Sequence, residues 1–255
     1  MQALNEGNSS IQTRRSFCAA VLSLGALPWA LKVHAADAAS DLPKEVAGVA
    51  IPRSPVAIRA AALARQSCPD FLFNHCMRTY LIGALALQKR KLAYNADDAF
   101  VAAALHDLGL VPGHASKSQS FEIDGANAAE KFSLDNGLSA AEADIVWHGI
   151  AFHDVRFAIT QRAGPEAMLV ALGAGGDVVD PNLDTEEEKK QLAEVVAAFP
   201  RLQFKKRFTS LLIDHCKRKP TSQQGTWLEG LCREQVAGVW NDTVEKAIMA
   251  APYTE

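Results

Sequence analysis

What this sequence of 255 residues has little of narrows it first. Phe, Trp and Tyr together make up only 7% of it while alanine is plentiful, a balance that favours helices packed closely on small residues over a sheet protein. No stretch alternates apolar and polar residues strongly enough to read as a strand, and no internal repeat or low-complexity segment occurs. The expected fold class is therefore all-α. Positive charge is not in excess either. The 26 Lys and Arg against 29 Asp and Glu leave a net charge of −3, with no basic footprint for nucleic acid. None of the five cysteines forms a Cys-x-x-Cys pair, which removes zinc-finger and thioredoxin-like motifs. The N-terminal apolar run, Ala19 to Leu31, falls short of the roughly 20 residues that a membrane span needs. What is present is ordinary for a globular chain, 49% hydrophobic and 22% charged, and long enough for one large core or two small ones.

Residues 1–35 read as an export signal. A polar start leads to Thr13-Arg14-Arg15-Ser16-Phe17-Cys18, a mild alanine-rich run follows, and Val33-His34-Ala35 supplies a small-x-small cleavage site. The paired arginines before Ser-Phe resemble the bacterial twin-arginine signal. That resemblance implies delivery to the periplasm by the twin-arginine machinery, a route for proteins that are already folded and loaded with a cofactor. Cys18 would leave with the signal. Cys68, Cys76, Cys216 and Cys232 remain, and an oxidising compartment allows a disulfide whose partners the sequence does not choose. Cys76 reads as a small buried hydrophobe.

Residues 36–58, with Pro43, Pro52 and Pro55, read as a linker that wraps onto one helical domain at 59–252. Helix signals then come in order. Ser67 with Asp70, and Asn95 with Asp98, have capping-box spacing. A helix is expected from an Asp124 N-cap to Leu134, ended by Asn136-Gly137. Ser139 with Glu142 opens the next, Pro165 sits at a first helical position, and Thr185 to Glu188 starts another. Gln203 to Lys219 reads as a basic amphipathic helix with a solvated face, stopped by Pro220. Short helices are expected at 226–237 and 241–250.

The stretch from Asp97 to Gly109 is a mostly apolar helix ending in His106-Asp107, with Gly109 in the position of a C-cap. Two ionisable neighbours at a buried helix end cost several kcal/mol unless compensated, and a divalent metal compensates imidazole and carboxylate together. His75, in Phe73-Asn74-His75, and Asp177, in Gly175-Gly176-Asp177, sit on or at the ends of other apolar helices. Asp180 competes with Asp177.

The order His75, His106-Asp107, Asp177 resembles the HD-domain superfamily of metal-dependent hydrolases. Phe73-Asn74-His75 with Arg78 and Tyr80, Ala104 to Gly109, Phe121-Glu122-Ile123-Asp124-Gly125-Ala126 and Ile150 to His153 look like its cyanamide hydratase-type branch, over about residues 50–180. The resemblance implies an all-α HD bundle in which His75, His106, Asp107 and Asp177 hold one divalent transition metal, Zn²⁺ first, with Fe²⁺, Mn²⁺ or Ni²⁺ also suited. Glu122 and His153 would then do acid/base work or hydrogen-bond the substrate, Asn74 and Phe121 would meet the substrate, and Arg78 would clamp an anionic substrate or pair with a ligand carboxylate. His148 lies about 140° round a helix from His153, which speaks against a second metal between them. His114 and His215 read as solvated.

Three functions follow. The first is a hydratase or hydrolase of a small nitrogenous molecule, with Phe71, Phe73, Phe121 and Phe152 making a dry pocket. The second is a phosphohydrolase, which wants several cations and finds only Arg78, Lys117 and Lys131 near the motifs. The third is a non-catalytic metal-binding or sensory module. A small-molecule substrate is the expected partner, and a homo-oligomer is compatible with the chain.

Overall fold

The computed structural model describes residues 42–238 and 248–249. The signal segment lies outside the described residues, as does the helix expected at 241–250 apart from two positions. Among the described residues, a hairpin of β1 (Glu45–Val46) and β2 (Val49–Ala50) leads into the helices α1 (Pro55–Ser67), α2 (Asp70–Lys89), α3 (Ala96–Leu105), α4 (Phe121–Asp135), α5 (Ala140–Ala151), α6 (Phe157–Ala163), α7 (Pro165–Val178), α8 (Glu186–Ala198), α9 (Phe204–Arg218) and α10 (Glu229–Gln235). A single 3₁₀ turn, Leu108–Leu110, follows α3. The fold is all-α.

The hairpin falls in the segment read as a linker. Ala47 and Gly48, at φ of 52° and 78°, make the left-handed turn that two-residue hairpins favour. Two paired residues on each side are too few to show as alternation. Leu42, Val46, Val49 and Ile51 are buried, so this segment is docked on the bundle.

Most helix starts follow local chemistry. Both capping boxes, Ser139 with Glu142 and Thr185 with Glu188, close in both directions. Pro165 opens α7, and Gly137 after α4 takes a φ of 91°. Three starts differ from expectation. Ser67 ends α1 and its hydroxyl meets His114 Nε2 at 3.1 Å, while α2 begins behind Pro69. Asn95 caps α3, but its own amide donates to Glu166 at 2.7 Å, and Asp98 is buried instead of closing the box. Helix α4 begins at Phe121 with Ser120 as N-cap, which puts Phe121 and Glu122 in its first turn. Asp124 is thus inside the helix, paired with the buried Lys219 at 2.6 Å.

The core is centred on α3, buried at every position from Asp98 to Leu105. Ala99, Ala102, Ala103 and Ala104, with no accessible surface, let α1, α2, α5 and α7 close around it. Helices α2 and α7 come nearer still. A Cβ on Gly173 would sit 1.9 Å from the Thr79 carbonyl oxygen, and one on Gly83 would sit 2.1 Å from that of Leu169. Gly109 has the same use: a Cβ there would lie 2.0 Å from the Phe121 carbonyl oxygen, so Gly109 seats the 3₁₀ turn against the start of α4 instead of capping α3. A Cys216–Cys232 disulfide ties α9 to α10, while Cys68 and Cys76 are free and buried.

Candidate metal centre

These close approaches bring three side chains together. His75 comes from α2, His106 from the C-cap of α3, and Asp107 from the residue after it. Asp107 Oδ2 lies 3.5 Å from His75 Nε2 and 3.4 Å from His106 Nε2. All three residues are buried, and one ligand atom from each lies within 4.8 Å of the others.

The remaining ring nitrogens show how the histidines are held. His75 Nδ1 faces Asp177 Oδ2 at 2.7 Å, His106 Nδ1 faces the Ala103 carbonyl at 2.8 Å, and His153 Nδ1 faces the Ile150 carbonyl at 2.6 Å. Each of those partners is an acceptor, so each Nδ1 carries the hydrogen and each Nε2 presents a lone pair. Fixing the tautomer through the second nitrogen is how metal-binding histidines are oriented. Burial, partly offset by Asp107, pushes the His106 pKa down to about 4 and keeps that ring neutral.

Two atoms of the cluster, His106 Nε2 and Asp107 Oδ2, are enclosed and have no hydrogen-bond partner. An orphaned buried polar group costs about 1–3 kcal/mol. A cation between them satisfies both, and two nitrogens with a carboxylate oxygen suit a divalent transition metal. The residues present fit such an ion.

Asp177 takes a different part from the one expected. Its Oδ1 accepts from Arg78 Nε at 2.8 Å and Arg201 at 2.6 Å, and its Oδ2 accepts from Arg78 at 2.7 Å as well as from His75. Burial alone would raise its pKa, but the hydrogen bonds from His75 and Arg78 override it and hold the carboxyl well below the usual range. With both oxygens engaged on the far side of the His75 ring, Asp177 positions His75 and does not join the three-residue cluster. Asp180 is exposed.

Of the two roles open to Arg78, pairing with a carboxylate is the one present, and Arg78 and Asn74 are both corrected as substrate contacts. Arg78 is fully buried, spent on Asp177 and the Phe199 carbonyl, and Asn74 donates to the Pro200 carbonyl at 2.8 Å. Neither lines the cavity beside the cluster.

That cavity measures about 240 Å³. His75, His106 and Asp107 form one part of its lining, and His153 and Asp154 another. Of the phenylalanines expected to dry it only Phe121 is present; the other aromatic walls are Phe157, Phe208 and Trp227. Phe71 is tilted against Phe204, Phe73 lies under Arg65, and Phe152 leans on Trp147. Among the described residues no Lys or Arg lines the cavity. Lys117 is exposed, and Lys131 pairs with Asp135 on the surface.

Glu122 sits behind this lining, 2% exposed. Burial first, and the adjoining Asp154 carboxyl second, push its pKa up to about 8. Asp154 is also raised by burial, and neither of its oxygens, both enclosed, receives a well-formed hydrogen bond. The Gln223 amide stands between Glu122, at 3.3 Å, and His215 Nε2, at 3.0 Å. His215 is therefore not solvated: it has no accessible surface, and burial, with Lys219 adding to it, brings its pKa to about 4. His153 stacks edge-on to His106, with ring centroids 5.0 Å apart. His148 is turned outward on Asp144, away from the cluster.

The model of the HD domain family matches residues 72–199, just over half of the chain. The chain belongs to the HD domain family. That match spans α2 to the end of α8, and so contains all three cluster residues together with Asp177, Glu122 and His153. No curated protein matches the chain.

Sequence reasoning missed Arg201, Gln223, Phe208 and Trp227, which reach the site from beyond residue 199 and carry no local signal. Asp154 did have one, standing next to His153, but nothing in spacing could show that its oxygens lack donors.

Proposed function

We propose that this HD-domain protein is a metal-dependent hydrolase or hydratase of a small molecule. The observation that carries the reading is the pair of orphaned atoms, His106 Nε2 and Asp107 Oδ2, beside His75 Nε2 at one end of an apolar cavity. A divalent transition metal bound there, Zn²⁺ first and Fe²⁺, Mn²⁺ or Ni²⁺ next, supplies Lewis acidity to activate water. Asp177 keeps the His75 lone pair turned towards the cluster. His153 has only Nε2 free to exchange a proton, because Nδ1 is committed to Ile150. Glu122, its pKa raised to about 8 by burial and by the adjoining Asp154 carboxyl, holds a proton behind the wall of the cavity, a reserve for acid/base work. The aromatic lining limits competing water.

A cyanamide hydratase-like reaction, water added across a nitrile, fits a small dry cavity. The phosphohydrolase reading has less to support it, since Arg78 is committed to Asp177 and no cation lines the cavity among the described residues. A solvent-blocked cluster would favour a non-catalytic metal site, whereas here the cluster lines a cavity of about 240 Å³.

The test is metal analysis coupled to turnover. Wild type is expected to hold about one transition metal per chain, and His106→Ala and Asp107→Ala to lose it while keeping their helical circular dichroism. A folded wild type that cannot be loaded with any of the four metals would sink the proposal. Assays on cyanamide and on phosphate esters separate the two chemistries, and turnover of only the esters would promote the second.

We also propose export through the twin-arginine route. The Cys216–Cys232 disulfide supports an oxidising destination. Replacing Arg14 and Arg15 with lysines is expected to stop delivery to the periplasm; unchanged delivery would remove the claim.

A further inference from the structure

The cavity has an imbalance of charge that the metal reading leaves unexplained. Two carboxylates, Asp107 and Asp154, belong to its lining, and among the described residues no Lys or Arg does. A divalent cation at the cluster accounts for Asp107. Asp154 is left over. Its nearest polar neighbours are the Glu122 carboxyl and the Trp227 indole, and neither gives its two enclosed oxygens a hydrogen bond of proper geometry. An enclosed carboxylate without donors is costly, and the surrounding Phe121, Phe157, Phe208 and Trp227 rings offer it nothing further. The same rings do favour one class of guest, because aromatic π-systems attract cations and polarised N–H groups and repel anions.

We infer that Asp154 receives an N–H group of the substrate, so that the site takes small molecules carrying an amino, amidino or guanidino nitrogen and rejects anions. This deepens the proposed hydratase or hydrolase reading and rests on it only for the reaction. The binding preference belongs to Asp154 and the aromatic walls. It also gives the chain a specificity element outside its metal-binding residues, at a position where replacing the acid would change which molecule enters.

The test is calorimetric titration of the full chain with three probes of similar size: n-butylammonium, butyramide and butyrate. The deciding series is read on chelator-treated protein, because a carboxylate can itself ligate a metal. Butylammonium is expected to bind at least about tenfold more tightly than butyrate, the scale of one hydrogen bond to a charged group, with butyramide between them. Asp154→Asn is expected to erase most of that difference, and Asp154→Ser serves if the first variant folds poorly. Butyrate binding as tightly as butylammonium in the wild type would overturn the inference without any variant. An unchanged charge order in a folded Asp154 variant would overturn it as well. Metal content measured on untreated samples keeps the two proposals apart. A chain that takes up no metal ends the metal-dependent reading and leaves the charge order standing, whereas loss of the charge order leaves the metal content untouched.

Discussion

Two sides of one site are built on opposite rules. On the α2/α7 side, Asp177 receives four hydrogen bonds from His75, Arg78 and Arg201, and every charge there has a partner. On the α4/α5 side, Glu122 and Asp154 are two buried acids pressed together, with a single amide, Gln223, reaching Glu122. The first arrangement is worth having only for position, because a buried ion network adds little net stability over an apolar one but fails badly when one member is lost. The second gives up stability to keep carboxyls in a state they would not adopt in water. The difference separates the part of the site that holds a ligand still from the part that can exchange protons.

The comparison breaks most severely at Arg78. Arg78→Leu leaves Asp177 buried with one guanidinium fewer, and about 3–5 kcal/mol of unfolding free energy should disappear in urea titration, together with metal affinity as His75 loses its brace. Gly173→Ala attacks the same side through the backbone. A methyl group 1.9 Å from the Thr79 oxygen must push α7 off α2, and about 3 kcal/mol is expected by the same measurement.

Glu122→Gln sharpens the contrast by costing little. The Glu122 pKa rises on folding from its ordinary 4.5 to about 8, so its protonated form is the one the fold favours. Stability from this group is complete below pH 4.5 and is lost as the pH rises through about 8. The variant should stay close to wild type at pH 5 and exceed it by on the order of 4 kcal/mol at pH 9, while turnover falls for want of the Glu122 proton. A wild type whose unfolding free energy does not decline over that range would remove the raised carboxyl. Smallest of all is Asn74→Ala, which deletes one exposed hydrogen bond to Pro200. Less than about 1 kcal/mol of stability and no change in turnover are expected.

The helical class and most helix starts were legible in the sequence because they depend on short-range rules: composition, capping residues and a proline at a first turn. The meeting of His75 with His106 and Asp107 was legible only through the resemblance to the HD-domain order, since His75 and the His106-Asp107 pair come from separate helices. What spacing gives is a face of a helix, and it says nothing of depth or of who stands opposite. Asp177 was visible as an acid near the site, but whether it touches a metal or braces a ligand depends on Arg201, in the turn after α8. His215 looked solvated beside Lys217, Arg218 and Lys219, yet its ring turns inward to Gln223. The pairing of Cys216 with Cys232 waited on the packing of α9 against α10. The hairpin at 45–50 was hidden by its shortness.

The glycine contacts have a consequence for how such a protein can change. His75 and Asp177 ride on helices spaced by Gly83 and Gly173, and Asp107 stands two residues before Gly109, so the ligand geometry is fixed by main-chain distances that side-chain variation elsewhere does not reach. Two of the four aromatic walls, Phe157 and Trp227, come from a short helix, α6, and from the segment between the bridged cysteines. Exchange at Phe157 or Trp227 can therefore reshape the chamber while the ligand cluster stays in register. Chemistry and substrate range are inherited on separate parts of the chain, and one can drift without dismantling the other.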